Sequence, residues 1–186
     1  MRQNVGTFHL RHDLAPYSEF PDTLSGELGI DAEPDRIWTS AHATIFYIHS
    51  KLPQARRLFV LGTSGLKDEF REAGFAIVAD DPDAVIVGFD LTLTHARLGR
   101  AAWWIGRGKL FIATNPDLVC PTDELTVLVD CGSIAAALEK AAGRAPDLVL
   151  GKPDPAMLDG ILARYGLQPH QVAMVGDRLY TDVLMA

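Results

Sequence analysis

The chain has 186 residues, 48% hydrophobic and 22% charged, with 16 glycines, 11 prolines and a formal net charge of −7. These proportions exclude disordered, collagenous and disulfide-scaffold classes, and the acidic balance argues against nonspecific nucleic-acid binding, which needs a basic face to meet phosphate. No apolar run reaches the roughly 18 residues that span a bilayer, and Met1–Pro16 lacks a signal-peptide core, so a soluble cytoplasmic protein without a membrane partner is expected.

In chain order, the first 35 residues are interrupted by Gly6, Pro16, Pro21, Gly26 and Gly29, and only Phe20–Leu28 reads as one weak helix. Clear alternation begins near residue 36. Asp35–Leu52 opens on Ile37 and Trp38, then continues as a helix with Ala43, Phe46, Tyr47 and Ile48 on one side, stopped by Pro53. Arg57–Leu61 reads as a strand. Ser64–Ala73 is predicted helical, with Ser64 as N-cap, Leu66, Phe70 and Ala73 on one face, and Gly74 as the stop. Phe75–Val78 and Ala84–Phe89 are short β-rich runs separated by the turn residues Asp80, Asp81 and Pro82.

Thr94 can cap a helix to about Gly106 whose apolar face carries Leu98, Ala101, Ala102 and Ile105. Lys109–Ala113 is a strand, Thr114–Glu124 a loop, Leu125–Val129 a strand, and Ser133–Ala142 a helix ending at Gly143. After the extended Leu148–Leu150, Asp154 stands as N-cap, Pro155 at the first helical position and Gly166 past the end. Val172–Val175 reads as an apolar strand, and Arg178 onward as helical. The order predicts an α/β protein with a mainly parallel sheet.

Two segments carry candidate chemistry. In Gly176-Asp177-Arg178-Leu179-Tyr180-Thr181-Asp182 an apolar run delivers Asp177, and Asp182 follows five residues later. Two carboxylates beyond a strand end suit Mg²⁺, a hard cation bound by oxygen; the plainer reading is a turn aspartate and a solvated one. In Gly151-Lys152-Pro153-Asp154-Pro155 a lysine precedes a proline-started helix, which attracts phosphate; the plainer reading is a surface lysine in a tight turn. One helix and one strand separate Lys152 from Asp177, so both can face one crevice. Such a pair calls for a nucleophile, and a strand-borne Asp-x-Asp is not recognisable. Asp90 in Gly88-Phe89-Asp90 is the nearest imitation and more simply caps a turn. The six histidines show no zinc spacing, and Cys120 and Cys131 suit buried small side chains better than a disulfide.

The order of Ile37-Trp38-Thr39-Ser40-Ala41-His42-Ala43-Thr44, Val87-Gly88-Phe89-Asp90, Ala113-Thr114-Asn115-Pro116-Asp117, Cys131-Gly132-Ser133, Gly151-Lys152-Pro153 and the Gly176–Asp182 segment resembles the haloacid dehalogenase (HAD) superfamily, in its 4-nitrophenylphosphatase/NagD-like branch. The likeness runs over roughly residues 36–186. It implies a Rossmann-like core with an inserted α/β C2-type cap, divided as 1–53 (core), 54–147 (cap) and 148–186 (core). It also implies Mg²⁺-dependent hydrolysis of a small phosphorylated metabolite through an aspartyl-phosphate, and admits a homodimer through the cap.

By that resemblance Lys152 neutralises nucleophile and phosphate, Asp177 binds the metal with Asp182 in support, and Asn115, Asp117, Cys120, Gly132 and Ser133 face the substrate. Val129-Asp130-Cys131-Gly132 departs from the family's Pro-Gly-x-Gly. The family's Asp-x-Asp-Gly nucleophile motif is not recognisable in residues 1–35, and the chain stops inside the helix after Asp177. The expectation is a chain impaired in phosphatase activity; the alternative is a non-catalytic phosphate- and metal-binding or interaction module.

Overall fold

The computed structural model describes residues 7, 9–11, 33, 36–122, 125–176 and 178–185. Its centre is a five-stranded sheet, parallel throughout, built from β3 (Arg57–Leu61), β4 (Ala76–Ile77), β5 (Ala84–Val87), β6 (Leu110–Ala113) and β9 (Leu148–Val149) in the order β4-β3-β5-β6-β9. Parallel strands are covered on both faces, which is why these segments are near-continuous apolar runs.

Alternation sorts them. Leu58, Val60, Ala84, Ile86 and Ile112 face one side, where α1 (Ser40–Lys51) contributes Ala41 and Ile48 and α2 (Ser64–Glu72) contributes Leu66 and Phe70. Phe59, Leu61, Val85, Val87, Phe111 and Ala113 face the other. There α3 (His95–Gly106) supplies Ala101 and Ile105, and α4 (Cys131–Ala142) supplies Ile134 and Leu138. Three layers result, with β3, β5 and β6 burying side chains on both faces at about 1.5–3 kcal/mol for a large aliphatic or Phe.

The helix ends follow their capping chemistry. Thr94 and Asp154 cap as expected, and Gly143 and Gly166 close their helices in the left-handed region at φ 74° and 62°. The start of α2 differs, because the Thr63 side chain, not Ser64, accepts from Leu66 N. The expected loop after β6 holds a strand: β7 (Val119–Pro121) pairs antiparallel with β8 (Val127–Val129).

Residues 9–11 also join the fold. β1 (His9–Arg11) pairs in parallel with β2 (Ile37–Thr39), which runs directly into α1. Trp38 Nε1 donates to the Met157 carbonyl at 2.9 Å, and a side chain at Gly160 would lie 2.3 Å from the Trp38 ring. Consequently α1 has two buried faces: Ala41 and Ile48 meet the sheet, whereas Ala43 packs with Met157 and Met185. Phe46 and Tyr47, expected on the buried side, are half-buried.

A 3₁₀ turn (Pro155–Leu158) and α5 (Asp159–Tyr165) follow β9. Val172–Val175 was expected as a strand but forms no ladder with any described residue, and Val175 is 92% exposed. Leu179–Val183 is a π-helical turn. The weak helix expected at 20–28 lies outside the described residues. No helix among the described residues is long and apolar enough to cross a membrane.

Candidate active site

The carboxyl ends of β6 and β9 bring Thr114–Asp117 beside Leu150–Lys152, the edge where ligands bind in open α/β sheets. The approach is tight. Gly151 has φ +84°, and a Cβ there would lie 2.9 Å from the Thr114 carbonyl and 3.0 Å from Asn115 Cβ. Glycine alone satisfies both conditions, so it sets where Lys152 starts.

Lys152 Nζ lies 2.8 Å from Asp182 Oδ1, with the two side chains 14% and 3% exposed. The second oxygen of Asp182 accepts from Arg178 N and from the Thr181 hydroxyl. Burial pushes this carboxyl up, but the Lys152 ammonium, the Arg178 N–H and the Thr181 hydroxyl outweigh it and hold Asp182 below its ordinary range. The carboxylate also packs onto Gly176, where a Cβ would come within 2.3 Å of Asp182 Cγ. Lys152 thus meets Asp182, whereas the sequence suggests Asp177 as its neighbour in the crevice. Asp177 lies outside the described residues.

Beside this pair opens a cleft of about 510 Å³ between the strip Pro116–Val119 on one side and Pro153, Arg178, Tyr180 and Thr181 on the other. Asp117 lines it. Asn115, Gly132 and Ser133 support the strip from behind. Asn115 Oδ1 accepts from Asp117 N at 3.0 Å, Gly132 N donates to the Asp117 carbonyl at 2.8 Å, and Ser133 Oγ donates to the Leu118 carbonyl at 2.7 Å. A side chain at Gly132 would lie 2.2 Å from the Pro116 carbonyl oxygen. Cys120 sits on β7 opposite Leu128, half-buried. Cys131 is fully buried, donates to the Val87 carbonyl at 3.1 Å, and has its thiol pushed up to about 11, chiefly by burial.

Sequence reading passed over several of these groups. Arg178, Tyr180 and Thr181 line the cleft, and Asp130 caps α4 while only 3% exposed. Asp81-Pro82-Asp83 does have Asp-x-Asp spacing, but it lies at the opposite, amino end of β5. There Asp81 pairs with Lys109 at 2.7 Å and Asp83 accepts from Arg56 N and Arg57 N. Asp90 caps its turn as expected, accepting from Thr92 N at 2.9 Å, and pairs with Arg97 at 2.8 Å. His42 closes a capping box with Thr39 and stacks on Trp38. No group of three or more His, Cys, Asp or Glu side chains fit to hold a metal occurs among the described residues.

A parallel α/β sheet that presents a carboxylate-held lysine at its strand ends suits an anionic ligand. The chain belongs to the haloacid dehalogenase-like hydrolases, in the NagD/4-nitrophenylphosphatase branch. Profiles described as HAD-hydrolase-like and haloacid dehalogenase-like hydrolase match residues 149–186 and 16–76. The second match carries the likeness into the first 35 residues, ahead of the motif run that begins at Ile37. An acid sugar phosphatase of Staphylococcus aureus is 38% identical over 159 residues, 85% of this chain and 60% of that protein. The crystal structure of a 4-nitrophenylphosphatase from Thermotoga maritima is 39% identical with a TM-score of 0.87, over 96% of this chain and 67% of that one. NagD from E. coli K-12 is 28% identical with a TM-score of 0.87, over 97% of this chain and 70% of that one. The chain thus spans 60% of the length of the curated relatives it matches.

Proposed function

We propose that this site takes the phosphoryl group of a small phosphate monoester, as part of Mg²⁺-dependent phosphatase chemistry of the family's aspartyl-phosphate type. The observation that carries the reading is the Lys152–Asp182 pair, next in the chain to the cleft-lining residues Pro153 and Thr181. A lysine ammonium is a compact point charge suited to phosphate oxygens, and Asp182 orients it without a flexible search. The strip Pro116–Val119 then faces the leaving group, within an α/β cap taken as residues 54–147.

The side-chain oxygens beside Gly176, the Asp182 carboxylate and the Thr181 hydroxyl, are of the hard type a divalent cation takes, with Asp182 itself engaged by the Lys152 ammonium and the Arg178 N–H. Asp177 would hold the cation, and Asp182, already committed to Lys152, would order the turn beneath. When bound, Mg²⁺ supplies charge neutralisation to the phosphoryl oxygens.

A second reading is favoured by one sequence feature: Asp-x-Asp-Gly does not occur in these 186 residues. On it, the chain binds phosphate and metal without turnover. Incubation with Mg²⁺ and 4-nitrophenyl phosphate separates the two. Release of 4-nitrophenol that disappears in Lys152→Ala supports turnover by this chain. Saturable phosphate binding without release supports the second reading.

A further inference from the structure

We propose that Arg97 is a positioning residue that holds the loops following β3 and β5, so that Leu91 forms a second wall of the ligand site and meets the far end of an extended, partly apolar leaving group. The proposal rests on the phosphate reading above for the other end of the ligand.

The sheet order β4-β3-β5-β6-β9 reverses between β3 and β5, with α2 leaving β3 on one face and α3 leaving β5 on the other. In open α/β sheets the crevice outside the carboxyl ends at such a reversal is a ligand position. Here it is walled by residues 62–63 and 88–94. A Cβ at Gly62 or Gly88 would lie 2.4 or 2.6 Å from Leu66 Cδ2, so both loops are seated closely on α2. A Cβ at Gly88 would also lie 3.3 Å from Thr114 Oγ1, at the strand end that leads to Asn115 and Asp117.

Arg97 ties these loops together from the first turn of α3. Its Nη1 donates to the Thr92 carbonyl at 3.1 Å and to the Thr92 hydroxyl oxygen at 3.2 Å. Its Nη2 reaches the Val60 and Gly62 carbonyls, each at 3.4 Å, and pairs with Asp90 Oδ2 at 2.8 Å. Asp90 Oδ1 accepts from Thr92 N and from the Thr92 hydroxyl, and Thr63 N donates to the Phe89 carbonyl. A planar fork serves oxygens on both loops at once, whereas a lysine would keep the charge beside Asp90 and give up most of the rest.

Between these pinned residues Leu91 stands 62% exposed. An apolar side chain held out of the core on a fixed loop at a ligand edge is suited to cover apolar ligand surface. Strand β5 lies two strands from β9, about 10 Å, so a leaving group anchored at Lys152 must be extended to reach it.

The test titrates the full chain, with Mg²⁺ present, against inorganic phosphate, methylphosphonate and hexylphosphonate, which are not hydrolysed. The unsubstituted chain should bind hexylphosphonate about tenfold or more tighter than methylphosphonate. Leu91→Ser, an exposed change, should cut that ratio by about threefold or more. Arg97→Lys, which keeps a counter-charge for Asp90, should cut it similarly. It should also accelerate amide exchange at Thr63 and Thr92 by about tenfold, with β6 and the interior of α3 unchanged. The double variant should lose no more than Leu91→Ser alone, because Arg97 acts through the loop; a merely structural arginine would add its own loss.

A ratio unaltered by Leu91→Ser, additive losses in the double variant, or unchanged exchange at Thr63 and Thr92 overturns the proposal. Phosphate binding without preference for hexylphosphonate overturns it and leaves the phosphate reading standing, whereas absence of phosphate binding overturns both.

Discussion

Lys152 Nζ lies 2.8 Å from Asp182 Oδ1, joining the end of β9 to a turn thirty positions further along the chain. Both side chains are largely shielded, so each is costly without the other. Asp182→Asn leaves the lysine short of its counter-charge and should destabilise the chain by about 3 kcal/mol, read from urea denaturation at pH 7. The folded carboxyl is held below its ordinary value, so its contribution is complete above about pH 4 and is lost as pH falls through the folded value. The gap between the two proteins should accordingly narrow only in strong acid.

His42 titrates in a different window. Burial, and then the Arg164 charge, push its pKa from 6.5 down to about 4. The unfolded chain takes up a proton between those values and the folded chain does not, so stability rises with pH across that interval and is flat above it. Unfolding free energy should increase by about 2 kcal/mol from pH 4.5 to 7, and His42→Gln should remove most of that slope.

Gly132 is where loop and helix come closest. A methyl group there meets the Pro116 carbonyl oxygen at 2.2 Å, and main chain does not yield as a side-chain tip does. Gly132→Ala should cost about 2–3 kcal/mol and displace the cleft wall, seen as a lowered melting temperature and shifted NMR resonances for Asp117 and Leu118.

The two thiols should separate in a labelling experiment. Cys131 is buried with its pKa pushed up to about 11, leaving almost no thiolate at pH 8, whereas Cys120 is half-buried. Iodoacetamide should modify Cys120 first in the folded chain, and Cys131 only on denaturation.

Much of the architecture was legible in particular residues. The strands β3, β5 and β6 are apolar on both faces, and Asp154, Pro155 and Gly166 punctuate their segment by local chemistry that needs no distant partner. The misreadings share a cause. Helix α1 packs Ala41 and Ala43 against different neighbours, so a single apolar face is not its organising feature. Val172–Val175 has strand composition, yet a strand exists only where a partner strand accepts its hydrogen bonds.

The site divides in the same way. Lys152 and Asp182 stood out because charged residues flanked glycines and apolar runs. Asp130 did not, because its N–H meets the Leu118 carbonyl, twelve residues earlier, only once the chain is folded. Gly132 and Ser133 open α4, and only the geometry shows them holding carbonyls of the strip.

The central claim is that Lys152, held by Asp182, binds the phosphate oxygens of the ligand. Isothermal titration of the chain with inorganic phosphate in the presence of Mg²⁺ tests it most directly. The account predicts saturable binding that weakens by about tenfold or more in Lys152→Ala, as loss of a charge-assisted contact requires. Equal affinity in the two proteins, or no binding by the unsubstituted chain, would contradict it.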